Sequence, residues 1–153
     1  MDKRKVIERI REEFQLKFRK LKRASDSARE DATDAESKAK SKYDTQGLEA
    51  SYLAAGQAER AEDLAIALQT FNSEPFPPFA EKASIAEGAL VEADFGGDVE
   101  WFLLAPSAGG MSIQFDGQEV TILGPGAPLR AKLTGQKAGK KLTEPNLKIK
   151  SVC

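Results

Sequence analysis

Apolar side chains recur at Val6, Ile10, Phe14, Phe18, Leu21, Ala24, Ala28, Ala32 and Ala35, in steps of three and four. This spacing puts them on one stripe of a long helix, sustained far enough to predict a coiled coil. A second stripe runs through Leu48, Tyr52, Ala55, Ala58, Ala61, Leu64, Leu68 and Phe71. Residues 36–46 between the stripes are polar, and Asp44 or Thr45 is a candidate cap for the second helix. Two such helices joined by a short polar break bury their stripes by folding back, which predicts an antiparallel hairpin. An arm of about 27 residues is roughly 40 Å long. Small residues (Ala28, Ala32, Ala35, Ala55 and Ala58) lie towards the turn, and Phe14, Phe18, Leu64, Leu68 and Phe71 lie at the other end. The hairpin is therefore expected to be thin at its tip and thick at its base.

Three prolines, Pro75, Pro77 and Pro78, end the helical pattern and predict a stiff, extended linker. Beyond it the hydrophobic period becomes two. Strands are predicted over 88–94, 99–105, 111–115, 118–123 and 147–152, rich in Val, Ile, Leu and Phe. Asp116-Gly117 reads as a two-residue hairpin turn, because this pair readily takes positive φ. Residues 128–133 read as a short helix ending at Gly135, and Trp101 as a core residue. The expected organisation is α plus α+β: a helical hairpin over 1–72, a Pro-rich linker over 73–83, and a small antiparallel β domain with one helix over 84–153.

Charge and composition narrow the chemistry. The 153 residues include no histidine and one cysteine, Cys153. A Ser-His-Asp or Cys-His nucleophile, an imidazole base and a Cys/His zinc site are excluded, as is a disulfide within this sequence. No apolar run is long enough to span a membrane and no apolar segment follows Met1, so a cytoplasmic protein is expected. The formal net charge of −1 hides segregation. Lys3, Arg4, Lys5, Arg9, Arg11, Lys17, Arg19, Lys20, Lys22 and Arg23 are followed by Asp26, Glu30, Asp31, Asp34 and Glu36. The chain turns basic again through Arg130, Lys132, Lys137, Lys140, Lys141, Lys148 and Lys150. Such segregation suggests a partner with its own charge layout.

Two stretches add a resemblance. Ser51-Tyr52-Leu53-Ala54-Ala55-Gly56-Gln57 and the run from Ala127-Pro128-Leu129-Arg130-Ala131 through Leu133-Thr134-Gly135-Gln136-Lys137-Ala138-Gly139-Lys140 resemble motifs of the Gre family of bacterial transcript-cleavage factors. Ser51 stands where that family has Glu, one residue fewer separates Pro128 from Ala131, and Lys140 stands where Asp is usual. The resemblance covers nearly the whole chain. It implies a C-terminal domain of FKBP-like fold that docks on RNA polymerase, and a hairpin that enters the polymerase secondary channel. There, two tip acids help hold a second Mg²⁺ so that the polymerase cleaves backtracked RNA. Carboxylates are the hard oxygen ligands that such a metal requires.

At the tip the resemblance breaks down, because no register reproduces the family's acidic pair. Asp34, Glu36, Asp44 and Glu49 are the nearest candidates for the shared metal, with capping or solvation as their ordinary roles. Lys38, Lys40 and Lys42 interleave with them and oppose cation binding. Two outcomes stay open: a cleavage factor, or a channel-occupying regulator that inhibits or retunes the polymerase. Arg130, Lys132, Lys137, Lys140 and Lys141 are candidate docking residues. The expectation is an accessory factor rather than an enzyme. It would be a monomer with no stably bound cofactor, would share only the polymerase's Mg²⁺, and would meet the RNA 3′ end indirectly, without nucleic-acid binding of its own. Two other classes remain. One is a prolyl isomerase with a pocket drawn from Phe76, Phe79, Phe95, Trp101, Phe102 and Phe115, and the other is a coiled-coil adaptor or dimer.

Overall fold

The structure, a computed structural model, describes the backbone of residues 1–38 and 46–153, and their side chains except at 32, 34–38, 46–52 and 54. Two long helices come first, α1 (Lys3–Lys38) and α2 (Gln46–Ser73). They are followed by β1 (Leu90–Asp94), β2 (Val99–Leu104), β3 (Ser112–Phe115), β4 (Gln118–Leu123), α3 (Pro128–Leu133), β5 (Lys141–Thr143) and β6 (Asn146–Val152). The chain divides into two compact units, one formed by Met1–Arg11 with Thr70–Cys153 and the other by Glu12–Gln69.

The unit Glu12–Gln69 is the body of the helical pair. Phe14, Ser25 and Ala28 on α1 and Ala61, Leu64 and Ala67 on α2 are buried. With Val6 and Ile10, the α1 positions follow a spacing of three and four, as expected for a seam between two helices. The seam drifts by one residue from the sequence pattern: Ser25 is buried where Ala24 is exposed, and Ala67 is more buried than Leu68. A small side chain lets backbones approach at a position where a leucine would hold them apart. Among the described side chains the seam holds large groups at Phe14 and Leu64 and small ones at Ser25, Ala28, Ala61 and Ala67; the expected thin tip lies outside them.

In the other unit, the first turns of α1 lie against the end of α2 and the segment that follows it. The Arg11 guanidinium donates to the Phe71 carbonyl oxygen at 2.7 Å, so the start of one helix lies beside the end of the other and the pair is antiparallel. The Phe71 and Phe76 rings stack at 5.1 Å. Lys3, only 8% exposed, donates its ammonium to the carbonyls of Pro77 and of Gly88, the latter at 3.1 Å, and lies 4.7 Å from the centroid of the Phe79 ring. The proline-rich stretch expected as a linker is thus packed inside this unit.

The six strands form one sheet in the order β3-β4-β2-β1-β6-β5. Four pairings are antiparallel, but β2 and β4 run parallel, with Trp101 beside Val120 and Leu104 beside Leu123. The expected antiparallel sheet is therefore mixed. The loop after β2 crosses two strand positions to the sheet edge, so the β3–β4 hairpin brings β4 back in the direction of β2. That crossing is tight: a Cβ on Gly109 would lie 2.9 Å from the Gly124 backbone. Asp116 and Gly117 do take positive φ, 50° and 75°, and close the hairpin.

Both faces of the sheet carry buried apolar side chains. Val91, Ala93, Phe102, Leu104, Leu147, Ile149 and Val152 pack in one core with Ile85 and with Leu133 of α3. On the opposite face lie Leu90, Trp101, Leu103, Ile113, Val120 and Ile122, all buried. Each such side chain, moved out of water, contributes about 1.5–3 kcal/mol. Helix α3 begins with Pro128 at its first turn and stops at Thr134-Gly135, where Gly135 has a φ of 80° and donates its N–H to Ile85.

Candidate functional site

Asp34 and Glu36 belong to α1 and Glu49 to α2, but their side chains lie outside the described residues, as does Asp44 altogether. The metal-binding expectation at the tip is therefore carried by sequence alone. Among the described residues, no group of three or more His, Cys, Asp or Glu side chains is placed to hold a metal ion.

The five candidate docking cations divide into two kinds. Arg130 is drawn inward, with its side chain 14% exposed. It donates to the carbonyl oxygens of Ala105 at 2.6 Å and Leu123 at 3.1 Å, and to the Glu87 carboxylate at 2.8 Å. It ties α3 to the ends of β2 and β4, a task suited to a planar group with several fixed donors. Lys132 donates to the Glu144 carbonyl from the same helix. Lys137, Lys140 and Lys141 are exposed. They continue into Lys148 and Lys150 on β6, also exposed, so one edge of the sheet carries a row of lysines.

The register explains how that row is held. Lys141 lies opposite Lys148, and Lys148 lies opposite Asp94 on β1. Like charges directly across a ladder cost a few tenths to about 1 kcal/mol, which Asp94 partly offsets from the other side. A shallow depression of about 270 Å³ lies between Asp94, Gly96, Lys141, Asn146, Leu147 and Lys148. Charged edge residues also guard a sheet against unwanted strand pairing, so the row needs no partner to account for it.

A groove of about 530 Å³ lies elsewhere on this unit, lined by Met1, Asp2, Lys3, Arg4, Phe76, Pro78, Phe79 and Cys153. Burial pushes the Lys3 ammonium below the usual lysine range, with Cys153 acting in the opposite sense. Burial likewise raises the Cys153 thiol, partly countered by Lys3. A thiol shifted upward is a poorer nucleophile near neutral pH. The six aromatics named for an isomerase pocket are divided between the two faces of the sheet: Phe79 and Phe95 pack against the core that holds Phe102, while Trp101 and Phe115 lie on the other face. Trp101 and Phe102 are neighbours on β2 and face opposite sides of the sheet, while Phe95 packs edge-on against Phe102 at 6.2 Å.

The pattern of the sequence missed the inward role of Arg130 and the burial of Lys3, since a charged residue beside a helix end reads as solvated. It also passed over the contrast between the two sheet edges. The signal was present in residues 111–115, which carry no charge and no proline.

Among the described residues, no helix is long and apolar enough to cross a membrane. No protein-family model matches the chain, and no curated protein does. Among solved structures the chain is similar to GreA factor homolog 1 (Gfh1) protein of Thermus thermophilus, with 16% identity and a TM-score of 0.37 over 94% of this chain and 94% of that one.

Proposed function

We propose that this chain is a transcription factor of the Gre type that binds bacterial RNA polymerase through its secondary channel and promotes cleavage of backtracked RNA. The observation that carries the reading is the union of two features in one chain. An antiparallel helical hairpin is joined to a sheet unit, and that unit folds the Gre-like stretch 127–140 around α3, with Pro128 opening the helix and Gly135 following its end. In this reading the hairpin carries the tip carboxylates Asp34, Glu36, Asp44 and Glu49 towards the polymerase's Mg²⁺, and the sheet unit docks outside through exposed lysines. The bond-breaking chemistry belongs to the polymerase. A protein without histidine contributes by lending oxygen ligands and orientation.

A second reading is favoured by Lys38, Lys40 and Lys42, whose charges interleave with the acids and disfavour a cation. In that case the chain occupies the channel and modulates the polymerase without adding cleavage. One experiment separates the two: RNA cleavage on a backtracked elongation complex, comparing wild type with Glu36→Ala, Asp44→Ala and Glu49→Ala. Cleavage that rises with wild type and drops with one or two variants supports a cleavage factor. Polymerase binding without added cleavage supports the regulator. Absence of polymerase binding overturns both.

A further inference from the structure

The two edges of the sheet differ. The β5 edge is three residues long, opens on Lys141 directly after Lys140, has Pro145 in the turn that follows, and so carries the usual safeguards against strand pairing. The β3 edge, Ser-Ile-Gln-Phe, carries no charge, no proline and no register shift against β4. The two-residue turn at Asp116-Gly117 fixes which backbone groups it leaves open. Phe115 with Gln118, and Ile113 with Val120, are the hydrogen-bonded pairs of this ladder, and Ile122 accordingly donates to the Met111 carbonyl at 2.8 Å. The N–H and C=O groups of Ser112 and Gln114 therefore point away from β4, and Gln114 is exposed.

The surroundings of this edge are acidic. From residue 83 to residue 129 the chain contains no Lys or Arg and seven Asp or Glu. Asp98, Glu100, Asp116 and Glu119 are exposed around the end of the β3–β4 hairpin. Glu100 immediately precedes the parallel pairing of Trp101 with Val120, which puts it level with Glu119, on the face that Gln114 shares. The opposite face of β3 presents Ile113 and the half-buried Phe115. A strand added here would meet apolar groups on one side and carboxylates on the other.

We propose that β3 is a strand-addition edge for an extended segment of a partner protein in which apolar residues alternate with Lys or Arg. Backbone bonds to Ser112 and Gln114 supply affinity, and the alternation supplies specificity. The site is separate from the lysine edge and does not depend on the reading of the hairpin.

The test uses the full chain and an end-capped peptide of alternating Lys and Val, followed by amide chemical shifts and hydrogen exchange. Peptide at millimolar concentration should shift the Ser112 and Gln114 amides and slow their exchange by roughly tenfold or more. The Glu-Val counterpart should leave both unchanged. Gln114→Pro removes an N–H that faces away from β4, so it should spare the hairpin and abolish the response. Gln114→Lys keeps the backbone donors and should weaken the Lys-Val peptide several-fold by charge repulsion, which preserves the test if the proline variant does not fold. No response at Ser112 and Gln114, an equal response to both peptides, or protection that grows with protein concentration alone would each overturn the proposal, the last by making a second copy the occupant.

Discussion

Replacing Arg130 by Ala tests whether this cation belongs to the fold or to a docking surface. The guanidinium donates to the carbonyl of fully buried Ala105 at 2.6 Å, to the Leu123 carbonyl at 3.1 Å and to Glu87 at 2.8 Å. Losing a charged donor to a buried carbonyl costs about 1.5–3 kcal/mol. The Leu123 carbonyl keeps the Ala105 N–H at 3.2 Å, so its loss adds less, about 0.5–1 kcal/mol. The Glu87 side chain is 53% exposed, so that ion pair contributes at most about 1 kcal/mol. The sum is about 3 kcal/mol, enough to lower the midpoint of a unit this size by roughly 10–25 °C. Thermal and urea unfolding of Arg130→Ala beside Glu87→Gln measures it, the second variant losing under about 1 kcal/mol. If Arg130→Ala unfolds within about 0.5 kcal/mol of wild type, the clamp is dispensable and the argument from its three acceptors is wrong.

Further outcomes follow from other positions. Phe14→Ala empties a fully buried seam position and should cost about 3–5 kcal/mol, whereas Leu16→Ala, at 54% exposure, should change little; helix content during thermal unfolding distinguishes them. Gly109→Ala forces a Cβ against the Gly124 backbone and should destabilise by about 1–3 kcal/mol, while Gly126→Ala, with open space around it, should fall within about 0.5 kcal/mol. Because burial raises the Cys153 thiol, the folded chain holds that proton where the unfolded chain releases it, so stability is lost as pH rises through the ordinary thiol range near 8.5. Unfolding free energy of Cys153→Ser should therefore decline less steeply than wild type above that pH. Lys3 acts in the opposite sense: its lowered value means the unfolded state binds the proton more tightly, and its contribution to stability grows as pH approaches the ordinary lysine range.

Much of the architecture was legible in the sequence because its signals are local. Helix α3 falls on residues 128–133 as predicted, since Pro at its start and Gly past its end act within one turn. The Asp116-Gly117 turn fixed the β3–β4 register, and the steps of three and four located both long helices. What escaped was settled by distant neighbours. Strand β5 is a Lys-Leu-Thr triplet with no pattern of its own, and it exists because β6 supplies its hydrogen bonds. The parallel β2–β4 pairing depends on where a loop crosses, which periodicity does not encode. Arg130 and Lys3 look like ordinary surface cations until the carbonyls they serve are brought to them from 7 to 85 residues away. At the candidate site, residue types pointed to tip carboxylates, whereas their mutual geometry is not a property of the sequence pattern.

One unit consists of Met1–Arg11 and Thr70–Cys153, so residues 12–69 are an insertion into a discontinuous domain. During synthesis the first eleven residues must wait for the last strand before their unit can close, and the helical pair has the opportunity to fold ahead of the domain that hosts it. The same arrangement gives the helical pair evolutionary freedom. An insertion whose two ends are anchored side by side, as the Arg11–Phe71 bond anchors them, can change its far end without altering the strand order of its host.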